Sequence, residues 1–113
     1  MSFWEDAVNT VERKSEEVIK ISKLKFRLSA IKNELNACYG DLGRYVYQMR
    51  KKGADDEEYE TSLIDKISRL QQDLSEVAQQ LNRTKGVRPC AQCGHVNEVS
   101  SEFCSQCGAG LNW

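Results

Sequence analysis

ISKLKFRLSAIKNELNACYGDLGRYVYQM, residues 21–49, carries apolar side chains at Ile21, Leu24, Leu28, Ile31, Leu35, Cys38, Leu42, Tyr45 and Met49. The steps alternate between three and four residues for about four heptads, the spacing of an α-helix that buries one narrow seam against another helix. Upstream, Trp4, Ala7, Val11, Val18 and Ile21 keep a similar rhythm, with Lys14 in one expected apolar slot. Two successive steps of three between Val18 and Leu24 shift the phase, a stammer that overwinds a coiled coil locally. A first helix is expected from about residue 3 to about 52.

Lys51-Lys52-Gly53 is a stop signal, since cations suit a helix C-terminus and glycine accepts the left-handed residue after it. Asp55 or Asp56 then caps a second helix whose first turn holds Glu57, Glu58 and Glu60. Its seam is Leu63, Ile67, Leu70, Leu74, Val77 and Leu81, over about 57–84. A short turn at 53–56 between two seams dictates an antiparallel hairpin, so the fold class expected is all-α, a long helical hairpin of coiled-coil type over residues 1–84.

The second helix is long enough to cover only about residues 24–51 of the first. Residues 3–20 then overhang, and they carry Phe3, Trp4, Val8, Val11, Val18 and Ile19, an apolar stripe out of place in water. A second copy of the chain would cover it; folding back or fraying is the alternative. Beside the main seam, Tyr39, Gly43 and Val46 mark a second face. Gly40 and Gly43 each cost about 1 kcal/mol relative to Ala inside a helix, and they signify either close approach of another backbone or a break at 40–43.

Four of the five cysteines fall near the C-terminus, as Cys90-Ala91-Gln92-Cys93-Gly94 and Cys104-Ser105-Gln106-Cys107-Gly108. Each C-x-x-C turn offers two thiolates to one ion, and two such turns close a tetrahedron with no position open for substrate. The expectation is one structural Zn²⁺ held by Cys90, Cys93, Cys104 and Cys107, with disulfides, a redox pair or an iron centre as alternatives. A segment of about 25 residues cannot bury enough surface to fold unaided, whereas structural zinc supplies on the order of 10–16 kcal/mol. Gly86 and Pro89 mark 85–89 as a linker, and residues 90–113 as the zinc module. Val96, Val99 and Phe103, between the two pairs, suit a short β-hairpin with an apolar side.

Residues 88–110 resemble the small zinc-ribbon domains common in bacterial proteins, whose knuckles often read C-x-x-C-G with an aromatic residue before the second pair, as Phe103 stands here. That resemblance implies a structural zinc and two knuckles, and no particular activity. The helix with Tyr39, Leu42, Gly43, Tyr45 and Tyr47 is similar to bacterial coiled-coil proteins of unassigned function that end in a zinc ribbon. His95 follows a filled ligand set and is expected to be exposed and non-ligating. Cys38 is expected to be a small buried residue of the seam. Leu111 and Trp113 are expected to pack on the ribbon or the helices, or to dock a partner.

A net charge of −1, 29% charged residues and a mean hydropathy of −0.61 leave little material for a globular core and no global pull toward an anionic partner. The charge is uneven: residues 2–52 hold eleven Lys/Arg against seven Asp/Glu, residues 54–84 three against eight. Pairing between the two halves is therefore favoured modestly. Lys20, Lys23, Lys25, Arg27 and Lys32 span thirteen residues without an acid. They are a solvated face or the partner of the acidic helix; binding of nucleic acid or an anionic membrane surface is the other reading. Residues 85–113 hold only Lys85 and Arg88 against Glu98 and Glu102, so the zinc module is not basic.

No stretch approaches a transmembrane span, and neither a signal peptide nor a catalytic motif is present, so a cytoplasmic, non-enzymatic protein is expected. The function expected is a zinc-binding interaction or scaffold protein. In it the coiled coil self-associates as a dimer through Phe3, Trp4, Val11 and Val18, and the ribbon docks an unidentified protein through Phe103 and Trp113. A nucleic-acid-associated, transcription-type ribbon protein is the alternative.

Overall fold

The computed structural model describes residues 3–54 and 56–111, without the side chains of Phe3 and residues 6–12. The chain runs α1 (Phe3–Lys52), α2 (Glu57–Lys85), β1 (Val87–Pro89) and β2 (Val96–Glu98). Residues 27–77 make one compact unit, and residues 1–26 with 78–113 the other.

The two long helices pack together on the seams that their spacing predicts. Leu24, Ile31, Leu35, Cys38 and Tyr45 are buried on α1, and Leu63, Ile67, Leu70, Val77 and Leu81 on α2. Within residues 27–77 the antiparallel sense is visible in side-chain pairs: Tyr45 meets Tyr59 near the turn, whereas Tyr39 and Glu34, earlier on α1, reach Gln71 and Lys66, later on α2. Gln71 Nε2 donates to the Tyr39 hydroxyl at 2.6 Å, and Lys66 Nζ lies 3.4 Å from Glu34 Oε1. The Lys66–Glu34 pair is about half exposed and contributes little. It also runs against the expected charge pairing, with its acid on α1 and its base on α2. Lys20, Lys23, Lys25, Arg27 and Lys32 are all exposed, and none forms an ion pair with a described residue.

Tyr45 fixes the turn. Its hydroxyl donates to the Asp56 carbonyl at 2.7 Å and accepts the Asp56 N–H at 2.6 Å, while its ring lies 5.2 Å from that of Tyr59. Asp56 is thereby held where its carboxylate accepts the Tyr59 N–H at 3.2 Å and its carbonyl accepts the Glu60 N–H at 3.1 Å, the geometry of a helix N-cap. On the other side of the turn, Gly53 donates to the Met49 carbonyl at 2.9 Å. Asp55, the other expected cap, lies outside the described residues.

α1 is continuous through Gly40 and Gly43, so the expected alternative of a break at 40–43 is corrected. An unbroken ladder of backbone hydrogen bonds and the buried residues flanking the glycines outweigh their propensity cost. An added Cβ at Gly43 would meet nothing within 4 Å, and one at Gly40 only the Arg44 guanidinium, so close approach by the rest of this chain does not explain them.

The β-structure is placed differently from the expectation. Residues 87–89, expected as part of a linker, form β1, and β1 pairs antiparallel with β2 in the register Val87↔Glu98, Arg88↔Asn97, Pro89↔Val96. The hairpin encloses the first C-x-x-C turn instead of lying between the two cysteine pairs. A knuckle is itself a tight turn, so it aligns the residue before its first cysteine with those after its second. Val96, Val99 and Phe103, expected as the apolar side of a hairpin, are exposed. The small core of this module is Cys90, Cys104 and Leu111, with Ala109 against it; Leu111 therefore packs within the C-terminal module, one of the two placements expected for it.

Candidate metal centre

Each C-x-x-C segment folds into the same hydrogen-bonded loop. Gly94 N–H donates to the Cys90 carbonyl, and Gly108 N–H to the Cys104 carbonyl, both at 2.9 Å. The Cys90 N–H donates to the His95 carbonyl at 2.9 Å, and the Cys104 N–H to the Ala109 carbonyl at 2.8 Å. The Gln92 amide points at Cys90 Sγ (3.3 Å) and the Gln106 amide at Cys104 Sγ (3.4 Å). All three bonds recur at an offset of fourteen residues, as does the strand pairing around them, for Phe103 bridges Gly110 beyond the second knuckle. Gly94 and Gly108 have φ of 78° and 75°, a region where a Cβ is strained, and this is why glycine follows each pair.

The two loops face each other and bring their sulfurs together. Cys90 and Cys107 Sγ are 3.6 Å apart, as are Cys93 and Cys104 Sγ, and all four sulfurs lie within 4.8 Å of one another. A disulfide needs about 2.05 Å, and all four thiols are free. A metal–sulfur length of about 2.3 Å places tetrahedral sulfurs about 3.8 Å apart. The cluster is thus a pocket of soft donors that can hold one metal ion.

Amide hydrogen bonds ready the set for deprotonation unevenly. The Cys104 thiol is lowered to about 6, foremost by the Cys107 amide and further by those of Gln106 and the Asn97 side chain, against the effect of burial. Cys90 is lowered likewise, foremost by the Cys93 amide. At Cys93 the His95 amide acts most strongly and favours the thiolate, but burial and the sulfurs of Cys104, Cys107 and Cys90 together outweigh it and push the thiol up to about 12. Cys107 is raised in the same way against the Ala109 amide, chiefly by Cys90. Each knuckle thus offers a ready thiolate first and a reluctant one second. A divalent cation held by Cys90, Cys93, Cys104 and Cys107 would favour the thiolate form of all four and offset the neighbouring-sulfur effect that raises the second of each pair.

Asn97 joins the knuckles and was not visible in the spacing of the sequence. It is 6% exposed; its amide donates to the His95 carbonyl at 3.1 Å, and its carbonyl accepts the Ser105 N–H at 3.0 Å and the Ser105 hydroxyl at 3.2 Å. It lies within β2 between Val96 and Glu98, and nothing in the local sequence singles it out. Arg88 anchors the next turn by donating from Nη1 to the Ser101 carbonyl at 2.8 Å. His95 contributes its backbone and is not among the clustered ligand atoms.

Of the other expected residues, Trp4, Val18 and Phe103 are exposed and Cys38 is buried on the α1 seam. The side chains of Phe3 and Val11, and Trp113, lie outside the described residues. No family model, curated protein or solved structure matches this chain. Among the described residues no helix is long and apolar enough to cross a membrane.

Proposed function

We propose that this protein is a non-enzymatic interaction protein whose C-terminal module is a zinc ribbon and whose helices mediate self-association. The observation that supports it best is the convergence of four thiols within 4.8 Å on two matching loops. A four-sulfur tetrahedron suits Zn²⁺ or iron. Zinc, which has no redox chemistry, fits a site that is closed to substrate and serves to hold a fold. Four thiolates and one Zn²⁺ leave about −2 on the module, a poor complement to a phosphate backbone.

Phe103, exposed beside the second knuckle, is the residue this module offers to a protein partner. The helical hairpin would set copy number and spacing, in the cytoplasm, where thiols stay reduced. Cys93→Ser tests the division of labour. It is expected to abolish zinc binding and the dispersed amide signals of residues 86–111, while the helical circular dichroism persists. Retention of one zinc per chain, or loss of the helices together with the metal, would contradict the proposal.

A further inference from the structure

α1 carries two apolar faces, and only one of them is used by α2. The buried Leu24 and Ile31 and the half-buried Ile21 and Leu28, continued backward by sevens, reach Lys14 and Glu17, both exposed, so the face turned to α2 ends near Ile21. Trp4, Val11 and Val18, continued forward by sevens, reach Lys25 and Lys32, which are exposed too. Because α1 is one unbroken helix, the phase slip near residue 21 is a rotation of the apolar stripe to another side. On that side Ile19 and Phe26, seven apart, join Trp4 and Val18. Phe26 is 80% exposed and Trp4 77%.

Charge says what covers this stripe. Residues 4–17 contain Glu5, Asp6, Glu12, Glu16 and Glu17 against Arg13 and Lys14, whereas residues 18–32 contain five cations and no acid. The stripe is thus acidic at one end and basic at the other. An anionic bilayer or nucleic acid would be attracted by one end and repelled by the other. A second copy laid antiparallel sets each acidic end against a basic one.

We propose that the outer stripe of α1, residues 4–26, is the contact surface of an antiparallel homodimer with its twofold axis at Ser15, an inference that rests on the self-association proposed above. Pairing about Ser15 places Trp4 beside Phe26 of the second copy, Val11 beside Ile19, and Glu5 and Asp6 beside Lys23 and Lys25. An axis at Val11 would instead set Glu5 and Asp6 against Glu16 and Glu17. A parallel pair would stack acids on acids and cations on cations. Twenty-three residues of helix give a contact about 34 Å long, and the twofold arrangement uses one surface on both copies. The basic stretch and Phe26 become parts of one interface.

The test uses the full zinc-loaded chain. Sedimentation of the parent protein is expected to give twice the 12.9 kDa chain mass. Phe26→Glu, at a position exposed in the hairpin, is expected to give a monomer with unchanged helicity and zinc content. Lys23→Glu with Lys25→Glu is expected to weaken the dimer about tenfold. Under mild oxidation Ser15→Cys is expected to cross-link to itself, while Val11→Cys and the parent do not. A dimer cross-linked through Val11→Cys, alone or together with Ser15→Cys, would overturn this arrangement and leave self-association standing. A monomeric parent, including one that binds anionic vesicles or DNA through Lys23 and Lys25, would overturn both.

Discussion

Asn97 is the one buried polar side chain among the described residues, and it spends its hydrogen bonds on holding two loops together. Asn97→Ala leaves the Ser105 amide without its partner, a loss of about 1–3 kcal/mol. It also removes an outer contact of the ligand set, so zinc affinity is expected to fall about 10–100-fold in a competition titration with a chelator; unchanged affinity would show that the knuckles align without it. Acid acts on the ligands directly. Metal can displace protons only where thiolates form, so affinity falls as pH falls. Cys93 and Cys107, raised above their ordinary value, protonate first. Cys104, lowered to about 6, favours the thiolate form above that pH and loses the advantage as pH drops through it. Zinc is therefore expected to bind tightly at pH 8 and to be released progressively as the solution is acidified, as followed by a colorimetric zinc indicator.

The elements show which parts of the fold were legible in the sequence. Both helices and the turn could be read because seam, cap and stop signals are local and agree with one another: Leu24 to Met49, Asp56, Gly53. The continuity of α1 at Gly40 and Gly43 was not legible, since a weak propensity penalty loses to the packing of Cys38 and Tyr45 on either side. The strand positions were missed because β1 and β2 are only three residues each and are defined by the knuckle they enclose rather than by their own side chains. Two substitutions test these elements. Tyr45→Phe removes both bonds to Asp56 and is expected to lower stability by about 1–2 kcal/mol in urea denaturation of the helical signal; no change would mean that the ring alone fixes the turn. Gly43→Ala, with nothing within 4 Å of the new Cβ, is expected to raise stability by about 1 kcal/mol. A loss there would reveal a close neighbour on that face.

The whole molecule joins two modes of stabilisation. The helices bury seams of their own apolar side chains, whereas the C-terminal module has a core of only Cys90, Cys104 and Leu111 with Ala109. So small a core cannot offset the ordering of its backbone, and ligation of a metal ion by the four cysteines is expected to supply the difference. The ligand set was fully legible, because C-x-x-C-G repeated at fourteen residues fixes both loops locally. Asn97 and Phe26 were not: the first acts across the gap between loops, and the second gains meaning only once the direction of the α1 seam is known. Metal content of the protein purified under reducing conditions, without chelator, decides most about this molecule. Elemental mass spectrometry is expected to find one zinc per chain, lost together with the fold of residues 86–111 on chelation while the helices remain. A metal-free protein with that module still folded would contradict a structural zinc site.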